Sequence, residues 1–128
     1  MCIVVVEGLD GAGKTTVVRA LAEALDAATD GTPGAAVGPL RAVVDETWSP
    51  DARQLFYAAS VLDASARMAA ARAAGRRTVF DRYWASTVAY DVAIRRTGLD
   101  LSVVEARLSV PDVTVFLDAP RSVRADRM

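Results

Sequence analysis

Residues 3–16 read Ile-Val-Val-Val-Glu-Gly-Leu-Asp-Gly-Ala-Gly-Lys-Thr-Thr. The four apolar residues at the start of this stretch predict a strand that is buried on both faces, as strands of parallel sheets are. Gly8 to Thr15 then match the pattern G-x-x-x-x-G-K-[ST], in which glycines allow successive backbone N–H groups to converge on phosphate oxygens. The stretch therefore predicts a strand that ends in a phosphate-binding loop.

A helix is predicted directly after this loop, because apolar residues recur on one face at Val17, Val18, Leu21 and Leu25. The N-terminus of such a helix adds its dipole to an anion site. Lys14 would reach the outer phosphates of a bound nucleotide, and the Thr15 hydroxyl would ligate Mg²⁺. The residues expected to bind this nucleotide are Gly8, Leu9, Asp10, Gly11, Ala12, Gly13, Lys14, Thr15 and Thr16.

Composition narrows the classes of function. With 128 residues the chain is long enough for one domain, residues 1–128, and its net charge of −1 argues against a nucleic acid polymer or an anionic membrane as partner. The sequence has no histidine, which excludes histidine-based catalysis and histidine metal sites. Lys14 is the only lysine, so the N-K-x-D motif of GTPases is absent. One cysteine, Cys2, allows no disulfide within the chain and favours a cytoplasmic location.

The remaining chain alternates between helix and strand signals. Residues 27–39 are rich in Gly, Pro and Thr and predict a loop, while residues 40–44 are ambiguous between helix and strand. A helix is predicted over 50–74, with Ser49 as its cap and Leu55, Ala59, Leu62 and Ala66 as its core face. Further helices are expected over 86–96, 100–108 and from 120 onward, and further strands over 78–80 and 113–118.

This alternation predicts an α/β fold with a parallel sheet, flanked by helices in three layers. Ligands of such sheets bind at the carboxyl ends of the strands. The three best strands end in Glu7, Asp81-Arg82 and Asp118, which therefore converge on the expected phosphate site. Asp118 is expected to be structural, and Arg76, Arg77, Arg95 and Arg96 to be solvated ends of elements.

Four blocks of the sequence resemble the thymidylate kinase family, in that family's order along the chain. They are Glu7 to Thr16, Leu55 to Ser60, Asp81-Arg82-Tyr83 with Ser86, Ala89 and Tyr90, and Pro111 to Asp118. The resemblance implies a P-loop kinase fold and transfer of the γ-phosphoryl group of ATP to a nucleoside monophosphate, with Mg²⁺ as cofactor. The sequence leaves the oligomeric state open, with a homodimer as one alternative.

The resemblance also implies roles for individual residues. Lys14, Asp10 and Arg82 would be catalytic, and Thr15 and Asp81 would hold the metal ion. The acceptor would be bound by Asp10, Arg41, Tyr57, Ser60, Arg82, Ser86 and Tyr90. Arginine suits a phosphate clamp because its fork grips two oxygens at once. The alternatives are a surface ion pair for Asp81-Arg82, helix core for Tyr57 and a solvated side chain for Arg41.

Several positions depart from the family's pattern. Val61 stands where the family has an arginine that reads the base, and Asp91 where it has a glutamine. The segment before Pro33 has neither a clear second strand nor the Arg-Glu-Pro element. The P-loop has Ala12 where some members carry an arginine, and the sequence reaches Met128 before the lid and last strand of the family. The acceptor base therefore stays open, and we expect slow turnover by residues 1–128.

Two other functions stay open beside the monophosphate kinase. One is a nucleoside kinase of related fold, which differs in having a smaller acceptor. The other is a nucleotide-binding module that keeps the phosphate-binding loop but does not catalyse phosphoryl transfer.

The first prediction is that Lys14→Ala abolishes nucleotide binding or turnover without unfolding the chain, because the charge of Lys14 serves phosphates rather than packing. ATP affinity from calorimetry, together with the circular dichroism spectrum, checks this. A folded Lys14→Ala protein that binds ATP as tightly as the wild type would contradict it.

Overall fold

The computed structural model describes residues 2–9 and 11–127. Four strands are present in this part of the chain: β1 (Ile3–Gly8), β2 (Ala28–Gly31), β3 (Thr78–Asp81) and β4 (Val113–Leu117). The α-helices are α1 (Lys14–Leu25), α2 (Arg41–Thr47), α3 (Pro50–Ala73), α4 (Trp84–Tyr90), α5 (Ser102–Glu105) and α6 (Arg121–Arg127). A 3₁₀ turn, Gly38–Leu40, precedes α2, and a π-helical turn, Asp91–Arg95, follows α4.

The strands form one parallel sheet in the order β2-β3-β1-β4. Val6 of β1 lies opposite Asp81 of β3, and Gly8 lies opposite Leu117 of β4. The carboxyl ends of the strands therefore meet at one edge, where the loop after β1 begins. This arrangement confirms the predicted α/β fold with its parallel sheet.

Strand β1 lies at the centre and is buried along its whole length. Ile3 and Val5 pack on one face of the sheet, in a cluster with residues of α3. Val4 and Val6 pack on the opposite face, in a cluster with residues of α1. The alternation of side chains along a strand thus places a helix layer on each face, which is the predicted three-layer arrangement.

The prediction that residues 27–39 form only a loop is wrong at its start. Ala28–Gly31 is an edge strand that pairs with β3, although its sequence, Ala-Thr-Asp-Gly, has no strand pattern. Tertiary contacts hold it. Arg67 of α3 donates to Asp30 at 2.9 Å and to the Gly31 carbonyl at 3.0 Å, and it also pairs with Asp63.

The predicted core face of the long helix is also wrong. Leu55 is 50% exposed, and Ala59 and Ala66 are exposed as well. The buried residues lie on the adjoining face: Gln54, Tyr57, Ala58, Ser60, Val61, Ala64, Ser65, Met68 and Ala71. The helix itself was predicted correctly, but the wrong face of it was predicted to be buried. The face that is buried carries polar side chains, which form hydrogen bonds inside the protein, so it does not stand out as the most apolar face. The cap is confirmed, since the Ser49 hydroxyl accepts from the Ala52 N–H.

One predicted helix changes type along its length, and another is shorter in the structure. The segment expected to be helical over 86–96 divides into α4 and the π-helical turn, and the helix expected over 100–108 covers only Ser102–Glu105. The ambiguous segment 40–44 lies mostly in α2. No helix within the described ranges has the length and apolarity needed to cross a bilayer.

The second prediction concerns Gly8, where β1 comes closest to β4. A Cβ atom at this position would lie 2.9 Å from the Leu117 carbonyl oxygen, which is backbone and cannot move aside cheaply. Gly8→Ala should therefore lower the free energy of unfolding by about 1–3 kcal/mol, as overpacking does. Thermal and urea unfolding check this.

Gly38→Ala is the matched control, because a Cβ atom there would meet nothing within 4 Å. It should unfold like the wild type. Equal stability of both variants would contradict the close approach of the two strands.

Candidate active site

The loop after β1 is built to receive an anion. Gly11 and Gly13 have φ angles of 81° and 91°, which are in the region that favours glycine. Helix α1 begins at Lys14 without a side-chain cap, beside the cleft lined by residues 11–17. The N-terminus of a helix attracts anions such as phosphate through its N–H groups and its dipole.

The structure brings most of the predicted ATP-binding residues to this cleft. Lys14 is buried to 8% exposure and lines the cleft, while Thr15 and Thr16 are exposed at the first turn of α1. Gly8 is buried at the base of the loop, and Leu9 is exposed. Asp10, predicted for ATP, for the acceptor and for catalysis, lies outside the described residues.

A second cavity, of about 240 Å³, opens beside the loop at the same edge of the sheet. We call it the acceptor cavity. Four of its residues are arginines, and three are tyrosines. The lining residues are Thr32, Arg41, Asp45, Arg53, Tyr57, Arg82, Tyr83, Ser86, Thr87, Tyr90, Ile94 and Arg95. Among the predicted acceptor residues, Arg41, Tyr57, Arg82, Ser86 and Tyr90 are brought together here.

Arg82 joins the loop to the acceptor cavity. Its Nη1 donates to the Gly8 carbonyl at 3.0 Å and to the Ser86 hydroxyl at 3.1 Å. Its backbone N–H donates to the Val6 carbonyl, and its φ angle is 70°, which is uncommon for a residue with a side chain. Such backbone strain, held in place by bonds on both sides, is typical of functional sites.

Glu7 fixes the turn that carries Arg82. Its carboxylate is 2% exposed and accepts from the N–H groups of Tyr83 and Ser86, at 3.2 Å each. The Ser86 hydroxyl also donates to it, at 2.6 Å. The buried charge is therefore paired with three donors at the N-terminus of α4, where a carboxylate is favoured.

Tyr57 forms part of the cavity wall, where it lies close to Asp45 and Arg41. Its hydroxyl donates to Asp45 Oδ1 at 2.8 Å. Burial raises the pKa of Tyr57 above its ordinary value, so the ring stays neutral. The ring is 8% exposed. Tyr57 therefore combines helix packing with a place in the cavity.

Ser60 is placed differently from the other predicted acceptor residues. It is not among the residues that line the acceptor cavity, and its hydroxyl donates to the Phe56 carbonyl within α3. Val61 is 0% exposed and belongs to the core. Asp91 accepts from the backbone N–H and the hydroxyl of Thr97.

The expectation that Arg95 is a solvated end of an element is wrong. Its guanidinium carbon lies 4.5 Å from the centre of the Tyr57 ring, and its Nη1 donates to Gln54 Oε1 at 2.6 Å. Burial lowers the pKa of Arg95 below its ordinary value. A regular helical period does not predict this placement, because Arg95 belongs to the π-helical turn Asp91–Arg95.

Three buried polar atoms near this edge lack a hydrogen-bond partner among the described residues: Thr32 Oγ1, Arg53 Nε and Asp81 Oδ1. Thr32 and Arg53 line the acceptor cavity, and Asp81 precedes Arg82 in the chain. Unsatisfied buried groups are rare in native proteins and call for an explanation.

Mg²⁺ fits this donor set. The unsatisfied Asp81 Oδ1 is a carboxylate oxygen at the strand end, and the Thr15 hydroxyl is exposed at the start of α1. The described residues contain no cluster of three or more acidic, cysteine or histidine side chains that could hold a metal alone. Mg²⁺ usually takes one or two carboxylate ligands from a protein, and its other ligands are phosphates and water.

The sheet, the loop and the adjoining cavity define a protein of the P-loop kinase fold. Within that fold, the model of the thymidylate kinase family matches residues 6–128, so the chain belongs to this family. A thymidylate kinase from Cereibacter sphaeroides is 38% identical over 133 residues, covering 88% of this chain. A probable thymidylate kinase from Archaeoglobus fulgidus is 31% identical, covering 98% of this chain and 68% of the relative.

Solved structures show the same fold. A thymidylate kinase from Ehrlichia chaffeensis superposes with a TM-score of 0.79 at 22% identity, covering 98% of this chain and 81% of that one. One from Candida albicans gives 0.78 at 22% identity, with 98% and 66% covered. The chain spans 59% of the length of the Cereibacter relative.

The third prediction concerns Glu7. Glu7→Gln replaces one acceptor oxygen with an NH₂ group that would face an N–H or hydroxyl donor. We expect the free energy of unfolding to fall by about 1–3 kcal/mol, the cost of unsatisfied buried groups. Urea denaturation measures this. Glu23→Gln, an exposed position on α1, is the control and should change little. Equal effects would mean that the Glu7 bonds do not stabilise the turn.

Proposed function

We propose that this chain transfers the γ-phosphoryl group of ATP to a nucleoside monophosphate. The observation that carries the proposal is the contact of Arg82 with both the P-loop and the acceptor cavity. A phosphate in each site would lie on either side of one guanidinium group. Phosphoryl transfer requires chiefly this kind of positioning and positive charge.

The charge of the acceptor cavity favours a monophosphate over a neutral nucleoside. Among its described lining residues, four are arginines and only Asp45 carries a carboxylate. A guanidinium group binds phosphate oxygens through paired, charge-assisted hydrogen bonds. A phosphate group on the acceptor offers such oxygens, and a nucleoside lacks them.

In this proposal, each group of residues has a role that follows from its position in the site. Backbone N–H groups of the loop and the Lys14 ammonium group hold the donor phosphates, and Arg82 orients the acceptor phosphate toward them. The Thr15 hydroxyl and the Asp81 carboxylate would hold Mg²⁺, which when bound neutralises charge on the phosphates. Asp10 completes the proposed catalytic set with Lys14 and Arg82.

The acceptor is proposed to lie among Arg41, Tyr57, Ser86 and Tyr90. Tyr57 offers an aromatic ring to a base, and Tyr90 lies with its ring centre 5.5 Å from the Arg82 guanidinium carbon, which suits it to contact the sugar. Ser86 holds Arg82 in place. Ser60 stays a prediction, and it is not among the residues that line the cavity.

The proposal treats residues 1–128 as one P-loop nucleotide kinase domain. A cytoplasmic location and assembly into a homodimer stay predictions. The single cysteine, Cys2, is half-buried and has no second cysteine in the chain to pair with.

The fourth prediction tests the function. With Mg²⁺ and ATP, the protein should release ADP when a pyrimidine nucleoside monophosphate is added and not when the free nucleoside is added. Arg82→Lys should raise the KM for the acceptor roughly tenfold or more, because a charge-assisted bond is worth about 1.5–3 kcal/mol. A coupled ADP assay measures both.

Arg76→Lys is the control, because Arg76 is exposed at the end of α3 and should leave the kinetics unchanged. The KM for ATP should change little in Arg82→Lys. ATP binding without any acceptor-dependent ADP release would overturn the kinase proposal and favour a nucleotide-binding module.

A further inference from the structure

Arg67 of α3 holds residues 30–34, the segment at the end of β2 and just after it. Its Nε donates to Asp30 Oδ2 at 2.9 Å, and its Nη2 donates to the Gly31 carbonyl at 3.0 Å. Its Nη1 pairs with Asp63, one turn earlier on the same helix. All three nitrogen atoms of the guanidinium group are therefore engaged, two of them by the segment, and its planar fork fixes their relative directions.

The guanidinium group also lies directly against Gly34. A Cβ atom at this position would lie 2.9 Å from Nη2, 3.0 Å from Cζ and 3.1 Å from Nη1 of Arg67. The φ angle of Gly34 is outside the positive region that favours glycine. The close approach of Arg67, and not the backbone conformation, is therefore what requires a glycine here.

The segment held by Arg67 forms part of the acceptor cavity wall. Thr32 lines this cavity, and its N–H donates at 3.1 Å to the carbonyl of Asp81, the residue before Arg82. Thr32 Oγ1 is buried and has no hydrogen-bond partner among the described residues. A buried hydroxyl without a partner is costly, and an oxygen atom of a bound acceptor would provide one.

The same segment leads to a second part of the cavity wall, at Arg41. The Gly34 carbonyl accepts from the N–H groups of Val37 and Gly38, at 3.1 and 2.9 Å. The 3₁₀ turn Gly38–Leu40 follows, and then α2, whose first residue is Arg41. Arg41 lines the acceptor cavity, so the turn that is anchored at Gly34 runs directly into the cavity wall.

We propose that Arg67 is a positioning residue for the acceptor, which keeps Thr32 and Arg41 in their places in the cavity wall. Arg67 is not among the residues that line the cavity, so it acts through the segment that it holds. A wall that is fixed before the acceptor arrives need not be ordered on binding, and this favours affinity. The inference rests on the proposed acceptor role of the cavity.

The position of the segment in the sheet separates this effect from ATP binding. Residues 30 and 31 belong to β2, and β3 lies between β2 and the strand β1 that leads into the P-loop. A shift of residues 30–34 should therefore alter the acceptor cavity and leave the P-loop in place. A residue that merely stabilises the fold would not distinguish between the two ligands.

The fifth prediction is that Arg67→Ala and Gly34→Ala both weaken acceptor binding. Gly34→Ala keeps the arginine, but its methyl group takes the space that the guanidinium group occupies. Calorimetry with dTMP, dUMP or dCMP, whichever the wild type binds most tightly, should show roughly tenfold weaker binding in each variant, as for one lost charge-assisted bond. The Kd for ATP should change by less than about twofold, because the P-loop is a separate site.

Arg72→Ala is the matched control for Arg67→Ala. Both arginines are on α3, with side chains 36% and 32% exposed for Arg72 and Arg67. Arg72 likewise donates to a carbonyl, that of Val110, and pairs with a carboxylate, that of Asp112. Those partners precede β4 and lie at the amino ends of the strands, away from the site. Arg72→Ala should bind the acceptor as the wild type does.

Gly38→Ala is the control for Gly34→Ala, because a Cβ atom there would meet nothing within 4 Å, and it should also bind the acceptor normally. Equal weakening of the acceptor in Arg67→Ala and Arg72→Ala, or of acceptor and ATP in Arg67→Ala, would overturn the inference while the kinase proposal stands. If Arg67→Ala does not fold, Gly34→Ala decides, since wild-type acceptor affinity in that variant would also overturn the inference. A wild type that binds none of the three monophosphates would overturn both the inference and the proposed function.

Discussion

The buried carboxylate of Glu7 is the constraint on which the site depends. It stands at the end of the central strand and accepts three hydrogen bonds from the start of α4. A buried charge is costly unless it is fully paired, so the chain must place Tyr83 and Ser86 around it. That requirement fixes the turn after β3 and, with it, the strained backbone of Arg82. The interaction between the central strand and the start of α4 therefore positions Arg82 between the P-loop and the acceptor cavity.

The parts of the fold that depend on a local sequence pattern could be predicted from the sequence. The buried run at Ile3 to Val6, the glycines of the loop and the Ser49 cap each determine local structure through their own chemistry. Strand β2 could not be predicted, because its conformation depends on Arg67, which is 37 residues from Asp30 in sequence. Arg95 could not be placed for a similar reason: a π-helical turn changes the direction of side chains that a regular helical period would project to solvent.

Helix α3 illustrates why a helix can be predicted correctly while the wrong face of it is predicted to be buried. The first half of its buried face carries Gln54 and Tyr57, whose polar atoms bond across the acceptor cavity wall. The second half carries Val61, Ala64 and Met68, which are fully buried against the sheet. One helix face thus serves as site wall at its N-terminal end and as core at its C-terminal end. A search for the most apolar stripe fails on such a helix, because the functional half of the face is polar.

The position of Arg82 has a thermodynamic consequence. A single nitrogen, Nη1, donates both to the loop carbonyl of Gly8 and to the Ser86 hydroxyl in the acceptor cavity. A ligand in either site that draws on this nitrogen competes with a bond that organises the other site. Under the proposed function, donor and acceptor affinities would then be linked, and the factor by which one ligand alters the binding of the second would be the same in either direction. The two sites can communicate in this way through one side chain, without a hinge or a moving domain.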